Sequence, residues 1–153
     1  MPNTYTQIHI QAVFAVKFRL ALLGDKWREE FHKYVTGIVR NQGHKMISIN
    51  SVTDHVHLLF GMRPVQSLSD LMQDIKGDSS RWINQRRFVP FRFEWQESFA
   101  AFSYCRDEIP TVAKYIENQQ QHHKKETFLD EYRRMLKAFD VDYDERFIFK
   151  EPV

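Results

Sequence analysis

The chain has 153 residues, 42% hydrophobic and 14% aromatic, with a net charge of +2 and a pI near 8.7. That length supports one well-buried core and a single domain over residues 1–153, and no apolar stretch approaches the roughly 20 residues that cross a bilayer, so no membrane role is expected. The lone Cys105 excludes an internal disulfide and a multi-thiolate zinc site, and a start without the basic and apolar regions of a secretory signal points to a cytoplasmic protein. A charge this close to balance permits nucleic-acid binding only if the basic residues gather on one face.

Apolar and polar residues alternate from Tyr5 to Phe18, with Ile8, Ile10, Ala12, Phe14, Val16 and Phe18 on one side, which predicts a long half-buried strand. After a turn at Gly24-Asp25, Trp27, Phe31, Tyr34, Val35, Ile38 and Val39 recur at helical spacing until Asn41-Gln42-Gly43. Residues Lys45 to Ile49 and Val52 to Met62 read as a hairpin turning near Asn50-Ser51, and Pro64 ends it. From Ser67, with Asp70 three residues on, the spacing of Leu68, Leu71, Met72, Ile75, Trp82 and Ile83 predicts a long helix. Ser98 to Tyr104 reads as a fourth strand. A helix capped at Asp107 is expected to run to about His123, a last one covers Thr127 to Phe139, and an extended tail follows over 141–149. The order strand, helix, strand, strand, helix, strand is the split βαβ pattern of ferredoxin-like and RRM-like α+β folds, an antiparallel βαββαβ sheet with additional C-terminal helices. In that topology the first and third strands are central neighbours. The row Gln7, His9 and Gln11 would then share an uncovered sheet face with His55 and His57, opposite the helical layer.

The run Asp54-His55-Val56-His57 carries the clearest chemical signal. In a strand, alternate side chains project to one face, so the two imidazoles point together while Val56 and Leu58 face the other way. A pair of imidazoles is an incomplete metal site, and the plain alternative is two histidines hydrogen-bonded in the core. In the helix after the fourth strand the core stripe is Ile109, Val112, Ala113 and Ile116, which leaves Tyr115 well to one side and Gln119 one turn further along the same flank. These two are otherwise readable as a surface tyrosine and a solvated amide. Two imidazoles and an amide oxygen suit Mg²⁺ or Mn²⁺ better than structural zinc and leave positions open for phosphate oxygens. A tyrosinate beside such a site can attack a phosphodiester and conserve its energy in a covalent intermediate.

The chain resembles the single-tyrosine HUH transposases of the insertion-sequence 200/605 family over nearly its whole length. The resemblance rests on His55-Val56-His57 with Asp54 before it, on Lys76-Gly77-Asp78-Ser79-Ser80-Arg81-Trp82, Trp95-Gln96 and Tyr115-Ile116-Glu117-Asn118-Gln119, and on His122-His123 and Phe128 through Glu131-Tyr132. It implies the HUH endonuclease fold, with Tyr115 as the nucleophile that leaves a 5′-phosphotyrosine and a free 3′-hydroxyl, and His55, His57 and Gln119 as ligands of a divalent cation, Mg²⁺ or Mn²⁺. His122 and His123 are not expected as further ligands. The implied partners are single-stranded DNA with hairpin ends and a second copy of the chain, in a homodimer with composite active sites. The implied setting is bacterial or archaeal and nucleoid-associated. A basic face is expected, with Lys17, Arg19, Lys76, Arg81, Arg86, Arg87, Lys124 and Lys125 as candidates, each of which reads equally well as solvated surface. One departure is Glu97 to Phe102, which lacks the glycine that relatives often carry after Trp-Gln. The leading expectation is a transposase that cleaves and rejoins single-stranded DNA. The alternative is a domesticated palindromic-repeat DNA-binding protein without transposition activity, and a replication-initiator or relaxase-like nickase is a third reading.

Overall fold

The computed structural model describes residues 4–17 and 23–144. Four strands, β1 (His9–Ala15), β2 (Lys45–Val52), β3 (His55–Gly61) and β4 (Ala100–Tyr104), form one antiparallel sheet in the order β2-β3-β1-β4. Helices α1 (Arg28–Asn41) and α2 (Leu68–Arg86) make the two crossovers, and α3 (Ile109–Glu117), α4 (Gln119–His122) and α5 (Phe128–Ala138) follow β4. This is the ferredoxin-like order, with β1 and β3 at the centre.

The expected alternation in β1 is present, yet it buries both faces. Ala12, Phe14 and Val16 join Val56, Leu58 and Phe60 beneath α1 and α2, in a core completed by Phe31, Val35, Leu71, Met72, Ile75, Phe93 and Trp95. On the opposite face Val13, Ala15, Ala100 and Phe102 pack on α5 through Phe128, Leu129, Tyr132, Met135 and Leu136, and Leu59 packs on Val112 and Ile116 of α3. The histidine face is therefore covered, contrary to expectation. The physical reason is the unbroken apolar run Ala12–Val16, which requires a layer on each side of the sheet.

Boundaries moved where polar residues proved to be structural. The β2–β3 turn falls at Thr53-Asp54, because Asn50 and Ser51 stay in β2 and bond elsewhere. The expected Ser67 cap of α2 is present, its hydroxyl accepting from the Asp70 backbone N–H at 3.0 Å. Asp107 is not a cap: residues Arg106–Glu108 form a 3₁₀ turn before α3, and the Glu108 carboxylate accepts from the Cys105 backbone N–H. The helix expected to reach His123 breaks at Asn118 into α3 and α4. Residues 141–144 carry no regular structure, and the remainder of the expected tail, like Phe18 and Arg19, lies outside the described residues.

His32 on α1 bonds Ser51 of β2 at 2.9 Å and ties the first crossover to the sheet. Burial, helped by the Arg28 charge, lowers its pKa from the ordinary 6.5 to about 4. Between those values the unfolded chain binds a proton that the folded chain refuses, so this contribution to stability is lost as pH falls through the window. Melting curves recorded from pH 6.5 down to about 4 should therefore show a smaller acid-induced fall in Tm for His32→Gln than for the unsubstituted protein.

Candidate active site

His55 and His57 sit side by side on β3, both 0% exposed, and project onto α3 and α5. Their rings meet edge to face at 5.3 Å, and Phe128 stacks on His55 at 3.8 Å. The group facing them is Glu131 of α5, also fully buried. Its Oε1 lies 3.1 Å from His57 Nε2, 3.1 Å from His123 Nε2 and 3.5 Å from His55 Nε2. Its Oε2 accepts from Gln119 Nε2 at 3.0 Å and from the Tyr115 hydroxyl in a short hydrogen bond. Four residues singled out from sequence, His55, His57, Tyr115 and Gln119, thus converge within one chain, on a carboxylate to which the sequence reading gave no role.

Neighbouring groups orient these side chains. Asp54 Oδ1 stands 2.8 Å from His55 Nδ1 and takes its proton in a hydrogen bond, which leaves the Nε2 lone pair facing the site. Gln11 Nε2 lies 3.0 Å from His57 Nδ1, while Gln11 Oε1 accepts from the Tyr104 hydroxyl at 2.6 Å. With the Gln11 amide reversed, the same contacts would fix the His57 tautomer whose Nε2 is a ligand. Asn50 clamps the Tyr115 helix from below. Its Nδ2 contacts the Ile116 and Glu117 carbonyls at 2.9 and 3.1 Å, and its Oδ1 accepts from Gln120. The end of α3, immediately after Tyr115, is thereby fixed to the strand next to the histidines.

The electrostatics centre on Glu131. Burial alone would raise its pKa, but the adjacent His57 ring and hydrogen bonds from His123 and His57 hold it well below the carboxylate range. The same burial, with the Glu131 charge beside it, raises Tyr115, while Arg134 opposes the shift from the other side of the phenol. Arg134 Nη2 donates to the Tyr115 oxygen at 2.7 Å.

The donor set fits a divalent cation. His55, His57 and Glu131 each offer a ligand atom, and the three atoms lie within 4.8 Å of one another. His55 Nε2 and the Gln119 amide oxygen are buried acceptors without a hydrogen-bond partner, which buried polar groups rarely remain. Imidazole nitrogens, a carboxylate and an amide oxygen together are a borderline-to-hard ligand set.

The basic candidates are not brought together. Lys124 and Lys125 are exposed beside Asp54 and Phe128, at the rim of the site. Lys76 and Arg81 lie on α2, across the sheet, in a groove shared with Arg92 and Gln96. Burial lowers Lys76 to about 8, and its ammonium is tied to the Gln96 and Ser98 carbonyls. Arg81 pairs with Asp78, Lys17 with Glu94, and Arg86 with Glu30 while lying over Trp82 and Phe88. Arg87 ends α2 with a left-handed backbone. Sequence reasoning missed Arg134 outright and read Asn50 as part of a turn; it placed Gln11 on the histidine face and met Glu131 and His123 only within family-like runs, without a role for Glu131 and with no ligand role expected of His123. Glu131 carried a further signal: it falls on the apolar stripe Phe128, Tyr132, Met135, Leu136 of α5, where an unpaired carboxylate would be costly.

Residues 4–119 match the family described as "Transposase IS200 like". The chain belongs to that family. It is 26% identical over 129 residues to the ISDra2 transposase TnpA of Deinococcus radiodurans, covering 78% of this chain and 87% of that protein. Its fold is that of a transposase crystal structure from D. radiodurans R1, at a TM-score of 0.62 and 22% identity over 78% of this chain and 95% of the other. It is also that of a REP-associated tyrosine transposase bound to a REP hairpin, at a TM-score of 0.60 and 14% identity over 100% of this chain and 97% of the other.

Asn50→Ala should cost about 1–3 kcal/mol in urea unfolding, since two carbonyls and the Gln120 amide lose their partner. Hydrogen exchange should rise at the C-terminal amides of α3 and in α4 more than in α1 or α2.

Proposed function

We propose that this transposase cleaves and rejoins single-stranded DNA at hairpin-marked ends, with Tyr115 as the nucleophile and a 5′-phosphotyrosine as the intermediate. The observation that carries the reading is the meeting of the Tyr115 hydroxyl, His55, His57 and the Gln119 amide around Glu131. Attack forms the Tyr115 O–P bond and breaks the P–O3′ bond, releasing a 3′-hydroxyl that reverses the step when a new strand end takes its place. The phenol proton has an acceptor in contact, Glu131 Oε2. His55, His57, Glu131 and Gln119 would hold a divalent cation, Mg²⁺ or Mn²⁺, which supplies Lewis-acid polarisation of the scissile phosphate. Asp54 and Gln11 set the imidazole tautomers, and burial of both rings keeps them in place.

DNA with hairpin ends is the partner in this reading, and Lys124 and Lys125 are the basic residues nearest the site. Lys17, Lys76, Arg81, Arg86 and Arg87 would serve the hairpin from the other side of the sheet. Joining two ends requires two nucleophiles, so the working state is a homodimer. Tyr115 stands against His57 of its own chain, which supports a site assembled within each copy, and the composite site, with the tyrosine helix exchanged between copies, is the alternative arrangement in this dimer. Residues 1–153 act as one catalytic domain in this reading, in the cytoplasm of its host.

A second reading is favoured by one finding: the fold match that spans the whole chain is to a REP-associated protein bound to a hairpin. In that reading the protein binds palindromic repeats and does not transpose. Hairpin binding in gel shifts with no cleavage in either Mg²⁺ or Mn²⁺ would favour it.

The test of the leading reading is covalent adduct formation on a single-stranded oligonucleotide carrying the hairpin that flanks the gene. Tyr115→Phe should abolish the adduct on denaturing gels and leave hairpin binding within about twofold, and an undiminished adduct would overturn the assignment. Loss of a ligand should appear without any DNA. His57→Ala and Glu131→Ala should each weaken Mn²⁺ binding, followed by electron paramagnetic resonance, by at least about 10–100-fold.

A further inference from the structure

Three residues of the site, His123, Glu131 and Arg134, lie beyond residue 119, where the match to the family ends. Glu131 is accounted for by the cation site and the tyrosine proton, and His123 by its bond to Glu131. Arg134 is accounted for by neither. Its Nε and Nη2 grip the Glu126 carboxylate at 3.1 and 2.9 Å, and the same Nη2 donates to the Tyr115 oxygen at 2.7 Å. The guanidinium carbon stands 5.5 Å from the phenol ring centroid. As a surface ion pair the Glu126 contact contributes little to stability, but it fixes the direction in which the guanidinium fork faces. Nη1 has no protein partner among the described residues, and the side chain is half exposed, on the open side of the phenol.

We propose that Arg134 is a catalytic residue of strand cleavage and rejoining, contacting the nucleophilic Tyr115 oxygen and a non-bridging oxygen of the scissile phosphate at once, with Glu126 as its positioning residue. The proposal rests on the reading of Tyr115 as nucleophile. In the step it serves, the Tyr115 O–P bond forms, the P–O3′ bond breaks, the phenol proton passes to Glu131 Oε2, and the departing 3′ oxygen takes a proton from solvent. Arg134 exchanges no proton. Its fixed charge faces the phenol oxygen as negative charge gathers there and then the phosphate oxygens as that charge moves outward, which is where a preorganised donor is worth most. A planar fork reaches two oxygens simultaneously, which an ammonium does poorly.

The experiment measures single-turnover adduct formation on the hairpin oligonucleotide for Arg134→Ala, Arg134→Lys, Glu126→Gln and Tyr115→Phe, with hairpin affinity measured in parallel. Arg134→Ala should slow the adduct by about 100-fold or more at unchanged affinity, and Arg134→Lys should recover only part of the rate. Added guanidinium or methylguanidinium ion at millimolar concentration should accelerate Arg134→Ala and leave the unsubstituted protein unaffected, a response that a merely structural arginine would not give. Glu126→Gln should be slowed less than Arg134→Ala and should not respond to the added ion. An Arg134→Ala rate within about twofold of the unsubstituted protein, a parallel loss of hairpin affinity, or no response to guanidinium would each overturn the proposal. Adduct persisting in Tyr115→Phe would instead overturn the nucleophile assignment beneath it.

Discussion

A carboxylate buried to zero exposure organises this site. Taking an ion out of water costs several kcal/mol even after the surroundings relax, so Glu131 is tolerable only because donors converge on it. Its Oε1 faces three imidazoles and its Oε2 faces a phenol and an amide. The division matters. One oxygen points to where a cation would be shared with His55 and His57, and the other holds the hydroxyl expected to attack. A single side chain thereby couples the paired histidines to the Tyr115 phenol, and displacement of α5 would disturb both together.

The fold delivers that coupling through two rigid attachments. The imidazoles stand on β3, which is paired on both sides by β1 and β2, so their positions are set by the most constrained part of the sheet. The tyrosine helix is anchored from the same sheet, by Leu59 packing on Val112 and Ile116 and by Asn50 bonding to the carbonyls that end α3. Buried amide-to-carbonyl bonds are costly to lose, which makes them suited to holding one geometry. α5 is attached differently, through an apolar stripe on β1 and β4, and carries its two charged site residues three positions apart. Residues at that spacing share a helix face, so Glu131 and Arg134 approach the same phenol oxygen, one accepting and one donating.

Much of this was legible before any coordinates. The period-two pattern of β1 and β3 identified the strands, and the pairing order placed them side by side, so the convergence of His55 and His57 with Gln11 followed from alternation alone. The Tyr115 and Gln119 spacing pointed to the same target even though the helix breaks at Asn118, because the break turns Gln119 inward without carrying it away from Glu131. What stayed hidden depended on side chains whose partners are distant in sequence. Asn50 reads as a turn former because amides favour turns, yet its bonds run to residues 116, 117 and 120. The covered histidine face was misjudged because a polar row beside two histidines reads as exposed, when the apolar residues interleaved with it, Val13, Ala15 and Leu59, already demanded a second layer.

The charge balance around Tyr115 explains why one helix supplies both a fixed cation and a hydrogen-bond acceptor to it. A phenol held only by Glu131 would be kept protonated by a neighbouring negative charge, and burial adds to that effect. A phenol held only by Arg134 would have a charge partner but no acceptor aimed at its proton. With both in contact, the phenol oxygen stands between a fixed anion and a fixed cation, and little surrounding structure has to reorganise when charge on that oxygen changes. The histidines and Gln119 complete the enclosure on the inner side, while the half-exposed arginine closes it only partly on the outer side. A phenol buried on one flank and open on the other is held in one geometry yet stays within reach of a group arriving from outside, which is the arrangement that the proposed role of Tyr115 requires.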